Sequence, residues 1–159
     1  MNKTLLLKKI VAALGESLGV LERAARASHV EATHESSRAE SKYDTRGLEA
    51  SYLAGGQARQ AKEVIDSMKI YQSLATRDFA ETDLIDLTAV VEVEAEGASN
   101  KYFIGPKSGG VEVNFKGEEI TVITPQSPLG QNLVGKKAGQ GWSAKVGGST
   151  VKYEIVKVW

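Results

Sequence analysis

The chain has 159 residues, 42% of them hydrophobic, with 20 Lys+Arg against 20 Asp+Glu. That is room for one domain or two small ones, too apolar for a disordered chain, and too balanced in charge to coat nucleic acid or an anionic membrane by bulk electrostatics. With no cysteine, disulfide scaffolds, thiolate metal sites and Cys nucleophiles are excluded. The first apolar stretch, Leu5–Leu7 then Ile10–Leu14, is broken by Lys8 and Lys9. It is too short for a membrane span and lacks the layout of a signal peptide, so a soluble cytoplasmic protein with no membrane partner is expected.

The first half reads as helix. Leu7, Leu14, Leu21 and Ser28 fall seven apart, with Ile10/Val11, Ser17/Leu18, Ala24/Ala25 and Glu31/Ala32 between them. This stripe has a period of about 3.5 residues. A second stripe runs through Tyr52, Ala58, Ala61, Ile65, Met68 and Tyr71 or Gln72, and no proline precedes Pro106, so nothing forces a break. The polar segment 35–49, containing Gly47, lies between them. The whole predicts an antiparallel helical hairpin over 1–76 with its tip near that segment, each arm extending about 40 Å at 1.5 Å per residue.

From about residue 80 the pattern alternates. Val91–Glu96, Val111–Phe115 and Val151–Ile155 have period two, separated by glycine-rich punctuation, and Gly147-Gly148 suits a tight hairpin turn. A small, mainly antiparallel β domain with one short helix is expected over 80–159, which makes the chain α+β. The stretch 76–86, carrying Arg77, Asp78, Glu81, Asp83 and Asp86, reads as the linker.

Few residues suggest chemistry of their own. His29 and His34 are five apart, which turns them about 140° from each other on a helix and unfits them for one metal. Gly130-Gln-Asn-Leu-Val-Gly135-Lys136-Lys137 nearly spells a phosphate-binding loop. It has Lys137 where a magnesium-reaching Ser or Thr belongs, and a turn and strand where a helix should follow. The better reading is structural: Ser127 as N-cap, Pro128 at the first helical position, and Gly135 as the stop. Around the tip, Glu35, Glu40, Asp44 and Glu49 interleave with Arg38, Lys42 and Arg46. They form either a solvated, ion-paired helix face or a carboxylate cluster able to complete a Mg²⁺ site on another protein. The aromatics Tyr102, Phe103, Phe115, Trp142, Tyr153 and Trp159 read first as core, and second as the lining of a groove.

The run Ile120-Thr-Val-Ile-Thr-Pro-Gln-Ser127-Pro128-Leu129-Gly130-Gln-Asn-Leu133-Val-Gly135-Lys136-Lys137-Ala-Gly139 resembles the C-terminal signature of the GreA/GreB transcript cleavage factors. That signature is a strand, Ser-Pro-(Ile/Leu)-Gly, two variable residues, a Leu, then Gly-Lys and a turn. The ending Gly147-Gly-Ser-Thr-Val-Lys-Tyr153-Glu-Ile155 is similar to the family's final hairpin, and the order of parts agrees along the whole chain. The resemblance implies an FKBP-like C-terminal domain that docks on RNA polymerase, with Ser127, Pro128, Leu129, Gly130, Gly135 and Lys136 as its docking residues. It also implies a hairpin that enters the polymerase's secondary channel, with DNA binding in the sense of indirect contact with nascent RNA and DNA in the elongation complex. Tip acids would assist the polymerase's Mg²⁺ in cleaving backtracked RNA. The factor would have no intrinsic cofactor and no catalysis of its own.

Through its tyrosine, the family's tip motif Gly-Asp-Leu-Ser-Glu-Asn-Ala-Glu-Tyr aligns with Asp44-Thr-Arg-Gly-Leu-Glu-Ala-Ser-Tyr52. The family's Asp then falls on Thr45 and its Glu on Leu48. Asp44 and Glu49 stand one place away and are the candidate carboxylates, with Glu40 in reserve. Three other readings are a channel binder that blocks without cleaving, a prolyl isomerase with the hairpin as its handle, and a plain interaction module.

Overall fold

The computed structural model describes residues 1–33 and 46–159, as backbone alone for 28, 29, 31–33 and 46–54. In chain order the elements are α1 (Lys3–Thr33), α2 (Arg46–Ser73), β1 (Val90–Ala95), β2 (Ala98–Ile104), β3 (Glu112–Phe115), β4 (Glu118–Ile123), α3 (Pro128–Leu133), β5 (Gly141–Val146) and β6 (Ser149–Val158). They form two compact units: Met1–Ala13 together with Ile70–Trp159, and Leu14–Lys69. The roots of both long helices therefore pack with the sheet, whereas the sequence pattern alone places the division at 76–80.

In the helical unit the heptad stripe of α1 is the inward face. Leu14 is buried, and Leu18, Leu21, Ala24 and Ala25 are half-buried. On α2 the inward positions differ from the expected stripe. Ile65 is 37% exposed while Ser67 is only 5% exposed. The buried hydroxyl is tolerated because Ser67 Oγ donates to the Glu63 carbonyl at 2.8 Å, so no polar atom is left unpaired. A Cβ placed on Gly15 would lie 3.7 Å from Met68 Cε, so α1 at Gly15 runs beside α2 at Met68.

The sheet unit has one six-stranded sheet in the order β3-β4-β2-β1-β6-β5. All pairs are antiparallel except β2 with β4, where Phe103 pairs with Val122 and Ile104 with Ile123. Period-two alternation gives the sheet two apolar faces. Val91, Val93, Ile104, Ile123, Ile155 and Val158 form one core with Leu133 of α3. Phe103 points to the other face, with its ring centre 6.5 Å from that of Tyr71 at the end of α2. The stretch 76–86 is not a free linker. Phe79 and Ile85 belong to the same core as α3, and burying these two large apolar side chains offsets part of the entropy lost in ordering the stretch.

Two polar side chains tie the helix roots to the sheet unit. Tyr71 Oη donates to the Lys107 carbonyl at 2.6 Å. A Cβ on Gly105 would sit 2.2 Å from Tyr71 Oη, so only glycine admits the ring there. Lys3 Nζ donates to the Arg77 carbonyl at 2.6 Å and lies 4.4 Å from the centre of the Phe79 ring. Burial lowers the Lys3 pKa from 10.5 to about 8, partly opposed by Asp78, and burial raises Tyr71 from 10.0 to about 12.

The linkage signs follow from these shifts. Between pH 8 and 10.5 the unfolded chain holds more protons at Lys3 than the folded one, so stability rises with pH across that window. Above pH 10 an unfolded Tyr71 ionises while the folded one keeps its proton to about 12, so stability falls. Urea melts at a series of alkaline pH values should show a maximum near about pH 10. Lys3→Met should flatten the rising limb and leave the falling one; an unchanged rising limb in that variant would refute the assignment.

Candidate functional site

The signature segment folds as the residues dictate. After β4 the chain turns at Thr124, whose carbonyl accepts from the Ser127 amide at 3.0 Å and from Ser127 Oγ at 2.7 Å. Ser127 is extended, with φ −67° and ψ 153°, and its Oγ accepts from the Gly130 amide at 3.1 Å. It is thus the N-cap of α3, and Pro128 follows where a missing N–H costs nothing. Gly130 is buried, and a Cβ there would lie 1.9 Å from the Thr124 carbonyl oxygen. The first turn of α3 therefore presses directly on the end of β4. Gly130→Ala should destabilise the fold by about 3 kcal/mol, read as a lowered urea midpoint with an unchanged slope. A wild-type midpoint would mean that this close approach does not exist.

The far end of α3 is held as firmly. Gly135, at φ +81°, ends the helix in the left-handed conformation that other residues resist. Its amide donates to the Ile85 carbonyl at 2.9 Å, and the Ile85 amide donates to the Lys136 carbonyl at 2.7 Å. Lys136 Nζ donates to the Asn132 carbonyl at 2.5 Å, satisfying an acceptor in the last turn.

Between α3 and the sheet lies a groove of about 290 Å³. Pro128, Leu129 and Asn132 form one side, Val93, Ala95, Asn100 and Tyr102 the floor, and Trp142, Ala144 and Tyr153 the other side. Trp142 and Tyr153 are direct cross-strand partners on β5 and β6. Their rings stack with centroids 4.8 Å apart and planes 4° from parallel, which makes a stiff wall. Burial, and secondarily the neighbouring Tyr153, holds the Tyr102 phenol above its usual pKa, so the floor is neutral at physiological pH. An apolar recess with a Trp and two Tyr beside a short helix is suited to receiving apolar side chains of another protein.

The structure therefore brings Ser127, Pro128, Leu129, Gly130, Gly135 and Lys136 together at one helix. Of these, Pro128 and Leu129 line the groove, and the others shape it. Reading the aromatics first as core holds for Phe103 and Phe115, which are buried, but not for Tyr102, Trp142 and Tyr153. Their period gives no warning of this: Tyr153 alternates with exposed Lys152 and Glu154 in the middle of β6, on the same face as buried Val151 and Ile155. Asp44 and Glu40 lie outside the described residues, as does His34. Glu49 and His29 are placed only as backbone positions, on α2 and α1. Among the described residues, no group of three or more His, Asp or Glu could hold a metal, and no helix is long and apolar enough to cross a membrane.

The family model for the C-terminal part of the GreA/GreB transcription elongation factors matches residues 80–159, half of the chain. The chain belongs to the GreA/GreB family of transcription elongation factors. The matched region contains the whole sheet, α3 and the groove, so the signature read from 120–139 sits inside a match twice its length or more. Curated proteins gave no match. Solved structures similar to this Gre-family chain include the GreA factor homolog 1 (Gfh1) of Thermus thermophilus, at 21% identity over 94% of each chain and a TM-score of 0.38. The Thermus aquaticus Gfh1 is 23% identical, over 95% of this chain and 92% of that one, with a TM-score of 0.38. A GreA/GreB factor from Nitrosomonas europaea is 22% identical, over 60% of this chain and 78% of that one, with a TM-score of 0.37.

Proposed function

We propose that this Gre-family chain is an accessory factor that binds RNA polymerase, seats its sheet unit on the enzyme through the α3 groove, and regulates elongation with its helical hairpin in the secondary channel. The observation that carries this reading is the groove itself. The family's signature residues and an apolar, aromatic-walled recess coincide at α3, and such recesses are where protein partners bind. No membrane partner is part of this reading, the workplace is the cytoplasm, and contact with nascent RNA and DNA is indirect, through the polymerase.

At the hairpin tip, Asp44 and Glu49, with Glu40 in reserve, would supply carboxylate oxygens to the Mg²⁺ of the polymerase active centre. That ion activates the water that cleaves backtracked RNA. A second reading has its own support: Thr45 and Leu48 occupy the family's acidic positions, and one residue turns a helical side chain by about 100°. A factor so altered would fill the channel and compete with cleaving factors without cleaving.

Core RNA polymerase passed over the immobilised full chain should be retained, and free chain should release it. Failure to retain polymerase at micromolar concentrations would overturn the proposal. Cis–trans proline isomerisation of a test peptide should run at its uncatalysed rate in the presence of the chain; catalysis there would move the function to the isomerase reading.

A further inference from the structure

Lys136 lies on the signature segment and, by resemblance, counts among the docking residues. Its ammonium nevertheless has partners within the fold. It donates to the Asn132 carbonyl at 2.5 Å, and it stands 5.9 Å from the centre of the Trp142 ring. Asn132 in turn donates its side-chain amide to the Pro128 carbonyl at 2.8 Å and lines the groove. One cation thus touches the last turn of α3 on one side of the recess and faces the indole on the other. An ammonium over an indole face is attracted by the ring quadrupole, so the lysine links the two walls across the end of the groove.

We infer that Lys136 is a positioning residue of the docking groove: it holds the Trp142 indole, stacked on Tyr153, at a set spacing from α3, and does not itself contact the partner. The inference rests on the docking function proposed for the groove. It explains why a residue already engaged with Asn132 and Trp142 belongs to the same segment as Pro128 and Leu129. The alkyl stem and the charge are both needed, because the stem spans the distance and the ammonium makes the two contacts. Arginine, longer and still cationic, can reach the carbonyl and stack on the indole. Methionine keeps most of the stem and makes neither contact.

The test uses the full chain with Trp159→Phe, so that Trp142 is the sole tryptophan. Lys136→Met should change the Trp142 emission maximum and raise its acrylamide quenching roughly twofold, with Lys136→Arg restoring both. Retention of core polymerase should weaken about fivefold in the methionine variant and recover in the arginine variant. Far-UV circular dichroism and the melting temperature confirm that each variant is folded. If Trp142 emission and quenching are unchanged in folded Lys136→Met, the inference is overturned, and a loss of binding in that case would make Lys136 a direct contact. If the Trp142 signals change while polymerase binding is indifferent to Lys136→Met and to Trp142→Ala, the link from Lys136 to Trp142 stands and the docking role of the groove falls.

Discussion

Replacing Asp44 and Glu49 together by Asn and Gln is expected to lower cleavage of backtracked RNA by at least about tenfold, the scale of losing about 1.4 kcal/mol of transition-state stabilisation. Both changes remove charge and keep shape, so folding and polymerase retention should stay as in the wild type. The competing effect is small. Glu49 falls in the first turn of α2, where a carboxylate favours the helix dipole by only about 0.3–1 kcal/mol at a surface. That is too little to unfold the unit and cannot mimic a tenfold loss specific to cleavage. Transcript cleavage is followed on gel-purified stalled complexes at saturating factor. An unchanged rate would leave the tip acids as a solvated, ion-paired surface. If the wild-type chain binds, cleaves nothing and blocks a cleaving Gre factor, the displacement onto Thr45 and Leu48 has separated docking from chemistry, and the blocking reading replaces the cleaving one.

Trp142→Ala is expected to weaken polymerase binding by roughly thirtyfold, about 2 kcal/mol, as for an aromatic anchor at the centre of an interface. The indole is half-buried on an edge strand of the sheet, stacks on Tyr153 and packs against the outside of the core around Leu133, Ile104 and Ile155, so its loss uncovers one side of that core without removing a fully buried member. The melting temperature should fall by a few degrees at most. Titration of labelled factor into core polymerase measures the affinity. Unaltered affinity with an intact fold would move docking away from the groove. Leu129→Ala separates the two walls: if both variants weaken binding and the pair is less than additive, the two side chains grip the same partner group.

Which parts were legible in sequence follows from how local each cause is. The heptad stripe of α1, the period-two strands, the Ser127-Pro128 start of α3 and its Gly135 stop each depend on residues within a turn or two. The structure places them where the sequence implies. The second stripe was misaligned at Ile65 and Ser67 because a hydroxyl bonded to its own helix can be buried like an apolar group, which a hydrophobic pattern does not register. The stretch 76–86 reads as a linker from its charges, while the burial of Phe79 and Ile85, and the exposure of the neighbouring Leu84, are decided by a core made elsewhere. Pairing was equally out of reach. The parallel contact of β2 with β4 joins segments separated by a loop and the strand β3, and no local signal specifies it. The groove belongs to the same class: Pro128 and Leu129 were marked by the signature, but Tyr102, Trp142 and Tyr153 come from three different strands. The residue types and their periods determined the elements and the family. Only strand order and register brought three aromatics from distant parts of the chain to face α3, because a surface recess is made by what the packing leaves uncovered.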